Sequence, residues 1–257
     1  MKRITVSDKM YNIPLLTDKE MANLGKSLQE LVRIKGRKIQ LPFVTLKFAQ
    51  TLDGKIATTT GDSKWISGPT SLHFAHRLRS FHDAVLVGVD TIIRDDPRLD
   101  VRLVKGKNPY KIIVDSRLRT PLNSNILKER AALSTIIATT TLSSPKRIGL
   151  YRSKGAEVWI LRKNSSNQVD LSNLIFELGR KGIRSILVEG GARIIQSFLK
   201  KRLVDHMFVF IAPKIIGNGI NYVDVSTLQR FKNLISFSSP KFFRSGEDVI
   251  LEAFLKE

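Results

Sequence analysis

The sequence of 257 residues predicts an α/β protein of three layers, a mostly parallel central sheet flanked by helices, with a helical arm at the N-terminus. Three observations lead there. From Phe43 onward, short β-rich runs alternate with stretches of helical period, the pattern of βαβ units. Several of these runs, Ala84 to Val89 among them, are apolar throughout, as strands buried on both faces are. Residues 1 to 40 have a different character, with a helical signal and no strand, and are set apart as an extension from a main domain of residues 41 to 257.

The arm opens on Thr17-Asp18-Lys19-Glu20, a capping box, with Met21, Leu24, Leu28 and Leu31 following at helical spacing. Lys35-Gly36-Arg37-Lys38 supplies a glycine and cations suited to its end. Phe43 to Ala49 is a strand, and Pro69 suits the first turn of a helix carrying Leu72, Ala75 and Leu78. Ala84 to Val89, Lys111 to Val114, Thr135 to Ala138 and Ala156 to Leu161 are strands, with a helix from Ser143 to Lys154 between the last two. Leu171 to Lys181 is a helix, Ser185 to Val188 a strand, Ala192 to Lys201 a helix and Met207 to Ile211 a strand. Helices thin out after Pro213, and Val249 to Phe254 closes the chain as a strand antiparallel to the others. No internal repeat and no long linker divides the body.

At 42% hydrophobic and 26% charged residues the composition is globular. No apolar run approaches the roughly 20 residues of a membrane span, and no secretory h-region follows Met1-Lys2-Arg3, so the cytoplasm is the expected location. The absence of cysteine excludes disulfides, thiol nucleophiles and thiolate zinc sites. The formal net charge of +20, from 43 Lys and Arg against 23 Asp and Glu, suits an anionic ligand. The basic residues are spread along the whole chain rather than gathered in one tail, and a phosphorylated substrate and a dinucleotide are favoured over nucleic acid as the anions they attract.

The segment Ile186-Leu-Val-Glu-Gly-Gly-Ala-Arg-Ile-Ile195 runs from an apolar strand through Glu189 and two glycines into a helix. Such a turn admits a ligand to the backbone, and the free amides of the helix attract phosphate; a tight turn needing positive φ explains the glycines equally well. Lys47 alternates with Leu46 and Phe48 and so points to a different face, either solvent or a cleft. Asp53-Gly54 marks a turn. Trp65, among the small polar residues of Gly61-Asp-Ser-Lys-Trp-Ile-Ser-Gly-Pro69, could cover a flat heterocycle or pack on the next helix. Asp95 and Asp96 face different ways and do not form an acid–base pair by spacing. Ser116 with Arg117 or Arg119 would suit the 2′-phosphate of a phosphorylated dinucleotide, although solvated charge is the commoner role for such arginines. His73 and His76 share a helix, but no third ligand has a convincing spacing, so no metal site is expected. Motifs of serine hydrolases, P-loop NTPases and zincins are missing.

Taken in order, TLKFAQTLDGKIAT, GDSKWIS, LVGVDTIIRDDPRL, IIVDS, LVEGGARI and VFIAPKIIG resemble the reductase of riboflavin biosynthesis, which occurs alone or fused behind a zinc deaminase and is similar in fold to dihydrofolate reductase. The likeness runs from about Leu41 to the C-terminus. It implies a homodimer that uses NADPH to reduce the ribosylamino group of a phosphorylated aminopyrimidine to a ribitylamino group, with hydride delivered to the sugar C1′. Carried over by position, it implies cofactor contacts at Ala49, Trp65, Ser67, Thr91, Asp95 and Ser116 and along Gly191, Ala192, Arg193, Ile194, Ile195, Gln196 and Ser197. It implies substrate contacts at Ser63, Arg79, Leu99, Arg102 and Glu189, with Arg79 and Arg102 suited to a sugar phosphate. Lys47 is the candidate that polarises or protonates the opening ribose, and Asp95 is a second candidate for proton handling. The chain has Ser67 where the family often has Thr, and it lacks the cysteines of the deaminase signature. Two other readings are a reductase of the same fold acting on a pterin, which would leave Arg79, Arg102 and Ser63 without a phosphate, and a basic binding protein without catalysis, which only the charge supports.

Overall fold

A computed structural model describes residues 13–39, 41–64, 66–222 and 234–256; the expectation for Trp65 lies outside the described residues. The arm is helix α1 (Asp18–Ile39). Its capping box forms as expected: the Glu20 amide donates to Thr17 Oγ1 at 3.3 Å and the Thr17 amide donates to Glu20 Oε2 at 2.6 Å. Gly36 does not end the helix, which continues to Ile39. A single interior glycine costs only about 1 kcal/mol of helix propensity, too little to stop a helix by itself.

The main domain is built on β1 (Phe43–Thr51), β2 (Lys55–Thr58), α2 (Pro69–Phe81), β3 (Ala84–Gly88), α3 (Val89–Asp95), β4 (Tyr110–Val114), β5 (Thr135–Thr139), α4 (Pro145–Ser153), β6 (Glu157–Ile160), α5 (Leu171–Arg180), β7 (Ser185–Gly190), α6 (Ala192–Lys200), β8 (His206–Ala212), β9 (Gly219–Asn221), β10 (Phe237–Ser245) and β11 (Asp248–Leu255). The large sheet has nine strands in the order β10-β11-β8-β1-β7-β3-β4-β5-β6. The seven from β8 to β6 run parallel, and β11 pairs antiparallel with both β8 and β10. The three-layer, mostly parallel architecture is therefore as the sequence predicts.

Alternation along the strands divides the core. Val44, Leu46, Leu86, Ile112 and Val188 turn to the face covered by α5 and α6, where Leu174, Leu178, Ile195 and Phe198 fill the layer. On the opposite face, Val85, Val87, Ile113 and Ile137 pack with Ile148 and Tyr151 of α4. On that same side Phe43, Leu187, Phe208, Phe210 and Ile250 pack under α1 and α2 through Met21, Leu24, Leu28, Phe74 and Leu78. The arm is thus part of the core. At Gly25 a Cβ would stand 2.8 Å from Cζ of Phe81, so the glycine permits the close approach of α1 to α2.

The side chains of Ser144 and Asp170 cap helices α4 and α5 by accepting the Arg147 and Ser172 amides. Three elements escape the sequence pattern. Helix α3 begins at Val89, which reads as the end of a strand. Strand β10 is amphipathic only in part, with its middle exposed. The two-stranded sheet of β2 and β9 joins segments more than 160 residues apart. Asp53 pins that join, accepting from the Gly217 amide at 2.8 Å and the Ile216 amide at 3.3 Å.

Candidate active site

In sheets of this kind ligands bind outside the carboxyl ends of the strands, where the strand order reverses. Strand β7 inserts between β1 and β3 there, and a cavity of about 760 Å³ opens beside it. Its walls come from the ends of β1, β3 and β7, the first turns of α6, helix α3, the loop 61–68 and the β2–β9 pair.

Lys47 lies on β1 with its neighbours Leu46 and Phe48 in the α5–α6 layer, so its own side chain takes the other face and reaches the cavity. Its ammonium stands 4.5 Å from the centre of the Phe210 ring. Burial pushes the Lys47 ammonium below its ordinary value, with Glu189 and Asp248 opposing and Arg79 reinforcing the shift.

Glu189 owes its aim to a break in register. Leu86 pairs with Val188, but Val87 pairs with Gly190, leaving Glu189 as the extra residue of β7. Bulges of this kind redirect a side chain beside a site. The carboxylate meets Arg79 of α2 in a two-pronged pair: Nε donates to Oε1 at 2.6 Å and Nη2 to Oε2 at 2.7 Å. The remaining Arg79 prong, Nη1, donates to the Asp100 carbonyl at 3.0 Å. Burial by itself would raise the Glu189 carboxyl. The Arg79 charge and hydrogen bonds, with Lys47 and His76 adding, outweigh it and hold the group below the usual carboxylate range. One helical turn before Arg79, His76 is fully buried, and neither ring nitrogen has a partner among the described residues. Burial, then the charges of Arg79 and Arg102, push its imidazole down to about 4.

Opposite these groups, Gly190 and Gly191 turn the chain into α6. Gly191 has φ +78°, and no side chain caps the helix, so its first amides are free for a ligand. A Cβ at Gly191 would stand 3.4 Å from Thr91 Oγ1, and one at Gly88 would stand 2.8 Å from Ile194 Cγ1. Glycine at these points lets α6 and the end of β3 come together around the cavity. Asp95 ends α3 at the cavity mouth; partial burial pushes its carboxyl up, while Lys64 and Arg94 pull it down. Asp96 instead adopts a left-handed conformation and accepts the Asn125 amide at 2.7 Å, so the two carboxylates do part company.

The cavity brings together Lys47, Ala49, Ser63, Ser67, Thr91, Asp95, Glu189 and the run Gly191 to Gln196. Other candidates lie off its walls. Ser116 Oγ accepts the Val169 amide at 3.0 Å, Arg117 is exposed, and Arg119 reaches Asp90 at 2.6 Å. Ser197 Oγ donates to the Arg193 carbonyl at 2.6 Å. Leu99 is core at φ +52°, Arg102 pairs with Asp100, and Arg79 stands behind Glu189. Sequence reasoning passed over Lys64, Asp90, Arg94 and Ile220, all on the cavity wall. The first three sit in or beside motifs already singled out. Ile220 carries no local signal, because only the distant pairing of β9 with β2 brings it there. Among the described residues no group of three or more His, Cys, Asp or Glu could hold a metal ion, and no helix is long and apolar enough to cross a membrane.

Fold and cavity together define a class: an α/β protein with its ligand site at the carboxyl edge of a parallel sheet, against a diglycine turn and an uncapped helix. Within that class, residues 42–251 match the family model described as the RibD C-terminal domain, and the chain belongs to that family. It is 40% identical over 211 residues to the riboflavin biosynthesis protein RibD of Aquifex aeolicus, covering 82% of this chain and 57% of that protein. It is 38% identical over 220 residues to a 2,5-diamino-6-ribosylamino-4(3H)-pyrimidinone 5′-phosphate reductase of Methanothermobacter thermautotrophicus, covering 84% and 99%. Among solved structures, a deaminase/5-amino-6-(5-phosphoribosylamino)uracil reductase of Thermotoga maritima aligns with a TM-score of 0.71 at 30% identity, covering 88% of this chain and 60% of that one. The chain thus spans little more than half the length of the RibD proteins it matches.

Proposed function

We propose that this chain is an NADPH-dependent reductase of riboflavin biosynthesis, which converts the ribosylamino side chain of a phosphorylated aminopyrimidine to a ribitylamino chain. The observation that carries the reading is that Lys47 and Glu189 share one cavity with the diglycine turn and the uncapped end of α6. A dinucleotide pyrophosphate suits those free amides, and Ala49, Ser67 and Thr91 lie on the adjoining wall. When bound, the nicotinamide supplies the hydride.

The chain's own residues hold the second reactant and manage protons. Glu189, kept ionised by Arg79, accepts hydrogen bonds from pyrimidine amino groups. Ring opening breaks the bond from C1′ to the ring oxygen, which takes a proton, and leaves C1′ doubly bonded to the amino nitrogen. Lys47, an ammonium with a lowered pKa, is suited to donate that proton. Hydride then adds to C1′ of this protonated imine, so the product gains two hydrogens in all, the proton on the former ring oxygen and the hydride. Asp95, whose carboxyl is raised, stands at the cavity mouth as a further proton carrier. The reading includes a homodimer in the cytoplasm, supported by the family likeness; sedimentation of the purified protein reads the assembly state.

The test incubates the full chain with NADPH and each of the two ribosylaminopyrimidine 5′-phosphates, deaminated and undeaminated, following loss of reduced-nicotinamide absorbance and identifying the product by mass. Oxidation with one of them, with a product heavier by two hydrogens, supports the reading and identifies the substrate. A folded protein that oxidises NADPH with neither overturns it.

A further inference from the structure

The charges beneath the cavity floor point to a role for one residue that differs from the one its position in the sequence implies. The position of Arg79 matches a sugar-phosphate contact, yet each of its three guanidinium nitrogens already donates, two to Glu189 and one to the Asp100 carbonyl, which takes three of its five N–H groups. Its side chain is 12% exposed and that of Glu189 9%, and only Glu189 forms part of the cavity wall. The pair is shared between a helix and a sheet. Arg79 comes from the last turn of α2, Glu189 from the bulge of β7, and Asp100 from the segment after α3.

We propose that Arg79 is a positioning residue, which fixes the Glu189 carboxylate at the cavity wall and acts on the substrate through it. This rests on the reductase reading for what Glu189 binds, but not for the pairing itself. A two-pronged arginine sets the plane of a carboxylate as well as its charge, which a lysine cannot do. Each Glu189 oxygen spends one acceptor site on Arg79 and keeps another for the ligand. Two adjacent N–H donors of an aminopyrimidine match two oxygens held in a fixed plane.

Alternative supports for Glu189 are weak. Lys47 faces it from β1, but its ammonium sits over the Phe210 ring and is itself lowered by burial. His76 faces it from α2 and stays neutral above about pH 4. Asp100 and Arg102, from the loop after α3, pair with each other. Without Arg79 the burial of Glu189 loses its largest compensation, and the carboxyl rises.

The experiment is a double-mutant cycle on the full chain, comparing Arg79→Met, Glu189→Gln and the double variant by kcat/KM, with Arg79→Lys as the conservative change. If Arg79 acts through Glu189, the double variant stays within about twofold of Glu189→Gln alone, since the partner whose geometry it set is gone. If Arg79 binds the phosphate directly, its loss raises KM by the same factor in both backgrounds, and the proposal fails. A second measurement does not depend on turnover. Carboxyl carbon NMR, with the Glu189 resonance assigned by Glu189→Gln, follows its titration. The wild type should titrate below the ordinary glutamate range, Arg79→Lys should follow it closely, and Arg79→Met should titrate clearly higher than both. An unshifted Glu189 in a folded Arg79→Met variant overturns the proposal. Because this titration needs no substrate, failure of the reductase reading leaves it decisive.

Discussion

Lys47 Nζ lies 4.5 Å from the centre of the Phe210 ring, at the junction of the cavity and the core layer under α1 and α2. The ring offers the ammonium a favourable face without solvating it, so the cation stays while its proton becomes easier to lose. Lys47→Met should therefore lower kcat by about 10²- to 10⁴-fold, the usual worth of a positioned proton donor. Binding of NADPH, read by fluorescence titration, should persist. A variant that turns over at the wild-type rate removes Lys47 from the chemistry.

Gly191 holds φ +78° at the entry to α6, and a Cβ there would touch Thr91 Oγ1 at 3.4 Å. Gly191→Ala should cost about 1–2 kcal/mol of backbone strain at that point. Since the strain falls where the dinucleotide is to approach, we expect Kd for NADPH to rise about tenfold or more, tenfold being 1.4 kcal/mol. Isothermal titration measures it, and an unchanged Kd would place the pyrophosphate elsewhere.

Gly25 is the point where α1 meets Phe81 of α2. Replacing it with leucine raises helix propensity by about 1 kcal/mol, yet it drives a side chain into that contact, and the clash is expected to outweigh the gain. Overpacking of this kind costs about 1–3 kcal/mol, and each kcal/mol lowers Tm by roughly 2–4 °C in a domain of this size. Thermal melting should show the loss while KM for both substrates holds. No change in Tm would mean that the arm is only loosely applied.

His82 is buried, with Nδ1 2.7 Å from the Leu78 carbonyl and Nε2 2.8 Å from Thr45 Oγ1, and burial pushes its imidazole from 6.5 down to about 4. The unfolded chain therefore takes up this proton first as pH falls. The contribution is complete above about pH 6.5 and is lost between 6.5 and 4, amounting to about 3 kcal/mol at most. His76 acts in the same direction. Denaturant unfolding across that window should weaken steadily, and His82→Gln should make the slope shallower. An unchanged slope would show that His82 does not titrate across folding.

Much of the fold is legible in the sequence because its strands are continuous apolar runs and its helices carry their own caps, as Thr17, Ser144 and Asp170 show. What escapes notice depends on distant partners. The β2–β9 pair and Ile220 on the cavity wall need contacts across more than 160 residues. Within the site, Lys47 announces itself by alternation and Gly190-Gly191 by the strand-to-helix turn. Glu189 reads as a ligand group, but its partner does not read at all: the bulge that turns it toward Arg79 leaves no mark in residue type. That partner also changes what removal of Glu189 means. Glu189→Ala would strand Arg79 in the interior, where an uncompensated buried charge costs about 3–5 kcal/mol, so stability as well as activity should fall.

In the proposed reaction hydride passes within this cavity from the nicotinamide to C1′ of the ribosyl chain. Carrying out the reaction with NADPH deuterated in turn at each face of C4, and locating the label in the product by NMR and mass, tests it most directly. One deuterium is expected at C1′ of the ribityl chain from one face only, and none in Gly191 or Lys47 variants that have lost turnover. Reduced product without label at C1′, or equal label from both faces, would contradict it.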